Sequence, residues 1–426
     1  VHRGTTTSYG DLEAQRQQWL AELEARGVGA GEVVGVRSDY SPRGIALLLA
    51  LLSRGNVAAM LPLAGEGEEA LLREAFATHV LRAEPDGGFR FESLGPAGTH
   101  PLLERLRESG SGGFVIFSSG STGRPKAVLH DAERFLSKFD VPGKRLRTLA
   151  FLLFDHIAGM DTLFYTLAAG GSLALPERRD PHFVCELIER HRVEVLPTSP
   201  SFLRLMLLSG AHEGRDLSSL RIVTYGSEPM DQATLSRVAA TFPQAQIAQK
   251  YGTSELGSPR SRSRDRGSLW LELRDGEIET KIVDGILWLR SPAAMLGYLN
   301  APSEVDAEGW YCTGDRVEQD GEWIRILGRE SDTINVGGEK VLPQEVEEVI
   351  LELDWVRDVV VKGVPHPILG QVVRAEVVLA NPGGAENLRR DIRRHCLARL
   401  PRHKAPVEIV EATGPVTSVR HKKTRK

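Results

Sequence analysis

The sequence predicts an α/β chain of two or three domains, with parallel, covered sheets first and a β-rich portion after them. Three observations carry this. The chain has 426 residues, more than one hydrophobic core usually organises. Helix and strand patterns alternate from the start, as they do when crossover helices join parallel strands. Further on, apolar segments fold back around Asp284-Gly285 and again around Asp320-Gly321, a turn chemistry that belongs to antiparallel hairpins.

The elements follow in order. Ser8 can cap a helix that runs to about Arg26, with Leu12, Trp19, Leu20 and Leu23 on one face and Gly27 as its stop. Residues 33–36 read as a strand, 44–53 as an apolar helix and 55–63 as a strand ending in a turn. Residues 114–117 are uniformly apolar, which suits a sheet covered on both faces. A helix over 131–140 and a strand over 149–154 come next, then the turn 155–160 and a helix to about Ala169. Residues 193–196 and 221–225 are strands, and the helix between them carries Phe202, Leu205 and Met206. Residues 277–283 and 286–289 form the first hairpin, 316–318 and 323–326 the second. Pro343 opens a helix whose stripe is Val346, Val349, Ile350 and Leu353. A small α/β unit ends the chain, with strands at 356–361 and 372–379 and a helix over 387–400.

Composition narrows the function classes. A hydrophobic content of 41% and a charged content of 26% are those of an ordinary soluble globular chain. A formal net charge of −4 gives no electrostatic reason to bind nucleic acid. Cys185, Cys312 and Cys396 are odd in number and far apart, so neither a zinc pattern nor a disulfide framework is expected, which fits a reducing cytoplasm. No apolar run approaches the ~18–20 residues of a membrane span, and the first residues show no signal-peptide core.

The chemistry concentrates after the strand at 114–117, in Ser118-Ser119-Gly120-Ser121-Thr122-Gly123-Arg124-Pro125-Lys126. Two glycines let the backbone turn sharply and approach a ligand closely. Hydroxyls and free N–H groups offer donors to an anion, and Lys126 adds a positive charge. This is the chemistry of a loop that wraps phosphates. Pro125 separates Gly123 from the lysine, so it is not a Walker loop. The segment resembles the phosphate loop of the adenylate-forming (AMP-binding) ligases: acyl- and aryl-CoA synthetases, peptide-synthetase adenylation domains and luciferases. Further motifs of that superfamily follow in order, and the resemblance covers roughly residues 5 to 426.

The resemblance implies a large N-terminal domain of parallel-rich sheets with a β-rich subdomain, residues 1–330, and a small mobile α/β C-terminal lid, residues 331–426. It implies roles one motif at a time. In Tyr251-Gly252-Thr253-Ser254-Glu255, the family stacks the tyrosine on adenine, aims a hydroxyl at the α-phosphate and holds Mg²⁺ with the glutamate; Ser254 stands where the pattern has Thr. Gly226-Ser227-Glu228-Pro229 resembles the adenine-binding turn, with a plain strand-to-helix turn as the alternative. Asp315 of Thr313-Gly314-Asp315 would accept from the ribose hydroxyls, and Arg329 would reach the ribose. The hinge falls at Ser331, where Asp or Lys is usual. Gly337 and Gly338 match the glycines that admit a pantetheine arm. Lys422, with Arg425, matches the family's terminal lysine, although His421 replaces a Gly and Lys423 leaves the register open by one. A solvated basic tail and a nucleic-acid arm are the generic readings of that terminus.

In the acid pocket two alignments compete. His156 with Gly159 fits the acyl- and aryl-CoA ligases, and Phe154-Asp155 fits amino-acid-activating domains. The first is favoured because it explains Gly159; an Asp155 helix cap beside a core histidine is the plain alternative. The arginines at 260, 262, 264 and 266 read as a solvated loop. What the resemblance implies is ATP- and Mg²⁺-dependent activation of an aromatic or fatty acid as acyl-AMP, then transfer to CoA. Loading of a carrier protein's phosphopantetheine is the alternative, and a non-catalytic nucleotide-binding homologue a lesser one.

Overall fold

The computed structural model describes residues 1–63, 67–118, 124–273, 278–380 and 387–412. The first helix, Tyr9–Ala25, begins on a capping box: the Ser8 hydroxyl accepts from the Asp11 N–H (3.1 Å), and the Asp11 carboxylate accepts from the Ser8 N–H (2.8 Å). Gly27, at φ +74°, ends it.

The first sheet has seven strands in the order 297–298, 126–131, 113–118, 57–60, 33–37, 79–83, 89–93. Its four central strands are parallel, and antiparallel strands flank them. Alternate residues enter two cores: Val34, Met60, Phe114 and Ile116 face one, and Val33, Ala59, Val115 and Phe117 the other. That is why these strands are apolar throughout. The second sheet is wholly parallel, ordered 246–249, 222–225, 195–198, 147–149, 172–174, with its own core.

The third sheet is antiparallel, ordered 261–263, 270–273, 323–329, 311–320, 286–290, 279–283. Asp284 and Gly285, at φ 52° and 77°, form the expected two-residue turn. The second hairpin turns one residue later than expected: Asp320 pairs with Trp323, leaving Gly321 and Glu322 as the loop. The fourth sheet, residues 334–411, packs the helices Pro343–Leu351 and Leu388–Leu397 over a separate core. The large part of the chain is thus three sheets, followed by a small α/β unit.

Three other expectations are corrected. The strand expected to run to Phe154 stops at Leu149, because the Phe151 carbonyl is taken by Arg179 Nε at 2.6 Å. The helix after Asp131 spans only Ala132–Leu136 before tightening into a 3₁₀ turn, Ser137–Phe139. The arginines after Glu255 are not a free loop. Arg262 pairs with Glu272 and lies over the Trp323 ring, Arg264 pairs with Asp320, and Arg266 donates to the carbonyls of Ala239, Phe242 and Pro243.

Candidate active site

Ser118 and Lys126 face each other as the last pair of their ladder, so the loop between them leaves at one end of the first sheet. Ser119, Gly120, Ser121, Thr122 and Gly123 lie outside the described residues. The returning limb is pinned by Asn300, whose side chain accepts from Ala127 N–H (2.8 Å) and donates to Pro125 O (2.9 Å) and Glu74 (2.6 Å). Arg124 pairs with the same Glu74. Lys126 forms an ion pair with Glu304, and its ammonium lies 4.7 Å from the centroid of the Tyr298 ring.

The turn that carries Tyr251 to Glu255 lies against the corner at Gly226. Both glycines are required there: a Cβ on Gly226 would sit 2.5 Å from the Lys250 carbonyl, and one on Gly252 2.6 Å from that of Gly257. Thr253 and Gly257 close the turn with two backbone hydrogen bonds, at 3.2 and 3.0 Å. Beneath it lies His130, fully buried, stacked on Phe114 and edge-on to Phe135. Its Nε2–H donates to the Ser254 carbonyl at 2.7 Å. Burial pulls its pKa down to about 4, so the ring is neutral at pH 7.

Glu255 is buried as well. The Tyr298 hydroxyl lies 3.0 Å from Glu255 Oε1 and 2.9 Å from Glu304 Oε2. Burial, with the Glu255 charge beside it, pushes the Tyr298 phenol well above its ordinary range, which keeps it a donor. Glu255, Tyr298, Glu304 and Lys126 therefore form a chain of polar contacts that links the Glu255 turn to Lys126.

Asp315 and Arg329 are cross-strand partners in the third sheet. Gly314, at φ +69°, bends the strand, and the Thr313 hydroxyl accepts from the Asp315 N–H (3.0 Å) while donating to Leu287 O (2.7 Å). Asp315 then holds two donors, the Tyr251 hydroxyl on Oδ2 at 2.5 Å and Arg329 Nε on Oδ1 at 2.8 Å. Burial raises the Asp315 pKa, and the guanidinium opposes the rise. These residues, with Ser227, Glu228 and Gly252, line a cleft of about 240 Å³. Ser227 takes φ +72° at its corner, and Glu228 is anchored by the Ser201 N–H at 2.6 Å.

The same cleft runs on between the large part of the chain and the terminal unit. Arg204 crosses that junction: it pairs with Asp231, donates to Thr234 Oγ1 at 3.2 Å, and reaches Asp358 of the fourth sheet at 2.9 Å.

Other expected site residues stand apart. His156, not Asp155, caps the helix Ile157–Ala168, its Nδ1 accepting from Ala158 N–H at 3.2 Å. Asp155 is buried, and neither it nor His156 lines the cleft. Gly159 has a packing cause: a Cβ there would lie 2.0 Å from the Leu153 carbonyl, so its presence no longer argues for the histidine alignment. Gly337 and Gly338 form the turn between strands Ile334–Val336 and Glu339–Val341, where Asn335 Oδ1 accepts from Gly338 N–H at 2.9 Å. Ser331 sits in the 3₁₀ turn Glu330–Asp332. Lys422 lies outside the described residues. Among the described residues, no helix is long and apolar enough to cross a membrane, and no group of three or more His, Cys, Asp or Glu is placed to hold a metal ion.

Two parallel-rich covered sheets, an antiparallel third and a small terminal unit, with a cleft lined from the second and third sheets and the terminal unit, make up the fold class of the adenylate-forming ligases. The chain belongs to the AMP-binding enzyme family: that family's model matches residues 1–299, and the model of the AMP-binding enzyme C-terminal domain matches residues 345–420. It is 34% identical over 288 residues to the 3-[(3aS,4S,7aS)-7a-methyl-1,5-dioxo-octahydro-1H-inden-4-yl]propanoyl:CoA ligase of Mycobacterium tuberculosis, a match covering 63% of this chain and 56% of that one. It is 30% identical to acyl-CoA synthetase 7 of Caenorhabditis elegans, over 70% of this chain and 61% of that one. The chain thus matches less than two thirds of the length of either relative. Among solved structures, the anthranilate CoA ligase AuaEII in complex with anthranoyl-AMP shares the fold, with a TM-score of 0.82 at 22% identity over 99% of this chain and 91% of that one.

Proposed function

We propose that the chain activates a carboxylic acid, aromatic or fatty, as an acyl-adenylate using ATP, and passes the acyl group to CoA. The thiol of a carrier protein's phosphopantetheine is the other acceptor this reading allows. The observation that carries it is the Tyr251–Asp315–Arg329 constellation on the cleft wall. A buried carboxylate with two acceptor oxygens, oriented by a phenol and a guanidinium, suits the vicinal diol of a ribose.

In this reading residues 1–330 hold ATP and the acid, and residues 331–426 are a lid hinged at Ser331. The corner Gly226-Ser227-Glu228 and the Tyr251-Gly252 turn hold adenine, and the loop from Ser118 to Gly123 cradles the phosphates. An oxygen of the acid attacks the α-phosphorus, and the bond to pyrophosphate breaks. The acceptor's sulfur then attacks the acyl carbonyl, and AMP leaves with the electron pair. The acid and the triphosphate repel each other, so the protein contributes positioning and charge compensation. Lys126 and Lys422 supply positive charge, and the Ser254 hydroxyl points to the α-phosphate. Mg²⁺ would add charge compensation at the phosphates, held by Glu255; one buried carboxylate fits a cation that takes its other ligands from phosphate and water. The lid's second orientation brings Gly337 and Gly338 to the pantetheine arm.

An amino-acid substrate recognised through Asp155 has less support, since that carboxylate is only 5% exposed and lines neither the cleft nor its neighbouring cavity. The test is Lys422→Ala. Adenylate formation should fall roughly 10²–10³-fold, while transfer from a supplied acyl-adenylate is largely spared. Equal loss in both half-reactions contradicts the assigned role.

A further inference from the structure

Glu304 is held on both of its carboxylate oxygens. Oε1 pairs with the Lys126 ammonium, and Oε2 lies 2.9 Å from the Tyr298 hydroxyl. Tyr298 is buried at the edge of the first sheet opposite Val128, and the next two residues, Leu299 and Asn300, both bond to Ala127. The Lys126 ammonium also lies over the Tyr298 ring, so it sits between a carboxylate and an aromatic face. Its side chain is 19% exposed, and that of Glu304 is 45% exposed. The other cation of this limb, Arg124, is engaged by Glu74, which Asn300 holds as well.

A contact of this kind stands in competition with phosphate. A carboxylate oxygen and a phosphate oxygen ask the same of an ammonium, its charge and its N–H donors. Under the adenylation reading above, on which this inference rests, Lys126 stands at the root of the loop that cradles the phosphates. A polyphosphate that reaches Lys126 must displace Glu304 or share the ammonium with it against like-charge repulsion. We propose that Glu304 is a specificity-determining residue of the polyphosphate site, which competes for Lys126 and so weakens the hold on ATP and on the pyrophosphate released from it. AMP lacks the β- and γ-phosphates and escapes the competition. Because Glu304 opposes bound triphosphate and bound pyrophosphate alike, it raises KM for ATP and hastens the loss of pyrophosphate without acting on the bond-breaking step.

The experiment is calorimetric titration of the full chain with ATP, pyrophosphate and AMP, at one Mg²⁺ concentration and one ionic strength, without acid or CoA. Glu304→Gln should lower Kd for ATP and for pyrophosphate roughly two- to fivefold, the scale of a solvent-screened ion pair, and leave Kd for AMP unaltered. In acid-dependent exchange, KM for ATP should fall by the same factor while kcat does not rise. In a Lys126→Met background the substitution should change nothing. Glu304 is exposed, so the variant does not threaten the fold, and a damaged fold would not produce a gain of affinity. Unaltered or weaker ATP binding in Glu304→Gln overturns the proposal and makes Glu304 a support for Lys126 instead of a competitor. So does equal tightening of AMP, or tightening that persists in Lys126→Met, since either would be a general effect of removing negative charge. If the parent binds neither ATP nor pyrophosphate, the adenylation reading fails and takes the proposal with it. A parent that binds both, with Glu304→Gln inert, leaves that reading standing and removes the proposal alone.

Discussion

Replacing His130 by phenylalanine separates two effects of one buried ring. The ring lies between Phe114 and Phe135, and its Nε2–H is the donor that holds the Ser254 carbonyl at 2.7 Å. Phenylalanine keeps the stacking and removes the donor. A buried carbonyl left without its partner costs about 1–3 kcal/mol. The lower end applies, because the His130 Nδ1 has no partner among the described residues and its removal offsets part of the loss. At pH 7.5 the variant should therefore be about 1 kcal/mol less stable than the parent.

The pH dependence carries the sharper signature. Burial depresses the folded-state pKa of His130 from 6.5 to about 4. The unfolded chain binds the proton more readily, so the stability from this group is complete above pH 6.5 and is lost as pH falls toward 4. At pH 5 the loss amounts to about 2 kcal/mol. The variant has no such group, so the gap at pH 7.5 should close or reverse by pH 5. The assay is urea denaturation of both proteins across that range, each at matched ionic strength. Parallel pH profiles would refute the claim that His130 is buried and neutral under the Ser254 turn.

Other perturbations test the site piece by piece. Asp315→Asn should raise KM for ATP roughly 10–100-fold, as expected for losing hydrogen bonds to a charged group, and an unaltered KM in the exchange assay would count against the ribose role. Gly226→Ala places a Cβ 2.5 Å from the Lys250 carbonyl; destabilisation of about 1–3 kcal/mol and loss of the ATP-induced thermal shift are expected, and a normal shift would mean the corner yields freely. Asp358→Asn removes the terminal unit's partner from Arg204, so limited proteolysis near the Glu330–Asp332 turn should speed up. Cleavage at the parental rate would show that this contact does not hold the two parts together. Asp231→Asn strips the same buried guanidinium of its other carboxylate and should cost more, about 3–5 kcal/mol by denaturation.

The parts of the site that were legible in the sequence are those whose chemistry is local. Tyr251-Gly252 and Thr313-Gly314-Asp315 state their backbone requirements within a few residues, and Asp284-Gly285 marks its turn by two positive φ angles. The supporting residues act across the chain instead. His130 serves a carbonyl 124 positions away, and Asn300 serves Ala127 across 173, distances at which no spacing rule applies. Tyr298 and Glu304 belong to no motif, and only the fold sets them between Glu255 and Lys126. The second hairpin was displaced by one residue because Gly321, not Asp320, takes the positive φ. The arginines after Glu255 looked solvated because their partners, Glu272, Asp320 and Trp323, lie on other strands.

Acid-dependent ATP–pyrophosphate exchange, run on the full chain with aromatic, fatty, dicarboxylic and amino acids, tests the central claim most directly. Exchange is expected with at least one carboxylic acid, dependent on Mg²⁺ and lowered roughly 10²–10³-fold in Lys422→Ala, with CoA consumption following for the same acid. Nucleotide binding without exchange for any member of the panel would contradict it and leave a nucleotide-binding protein that does not activate acids.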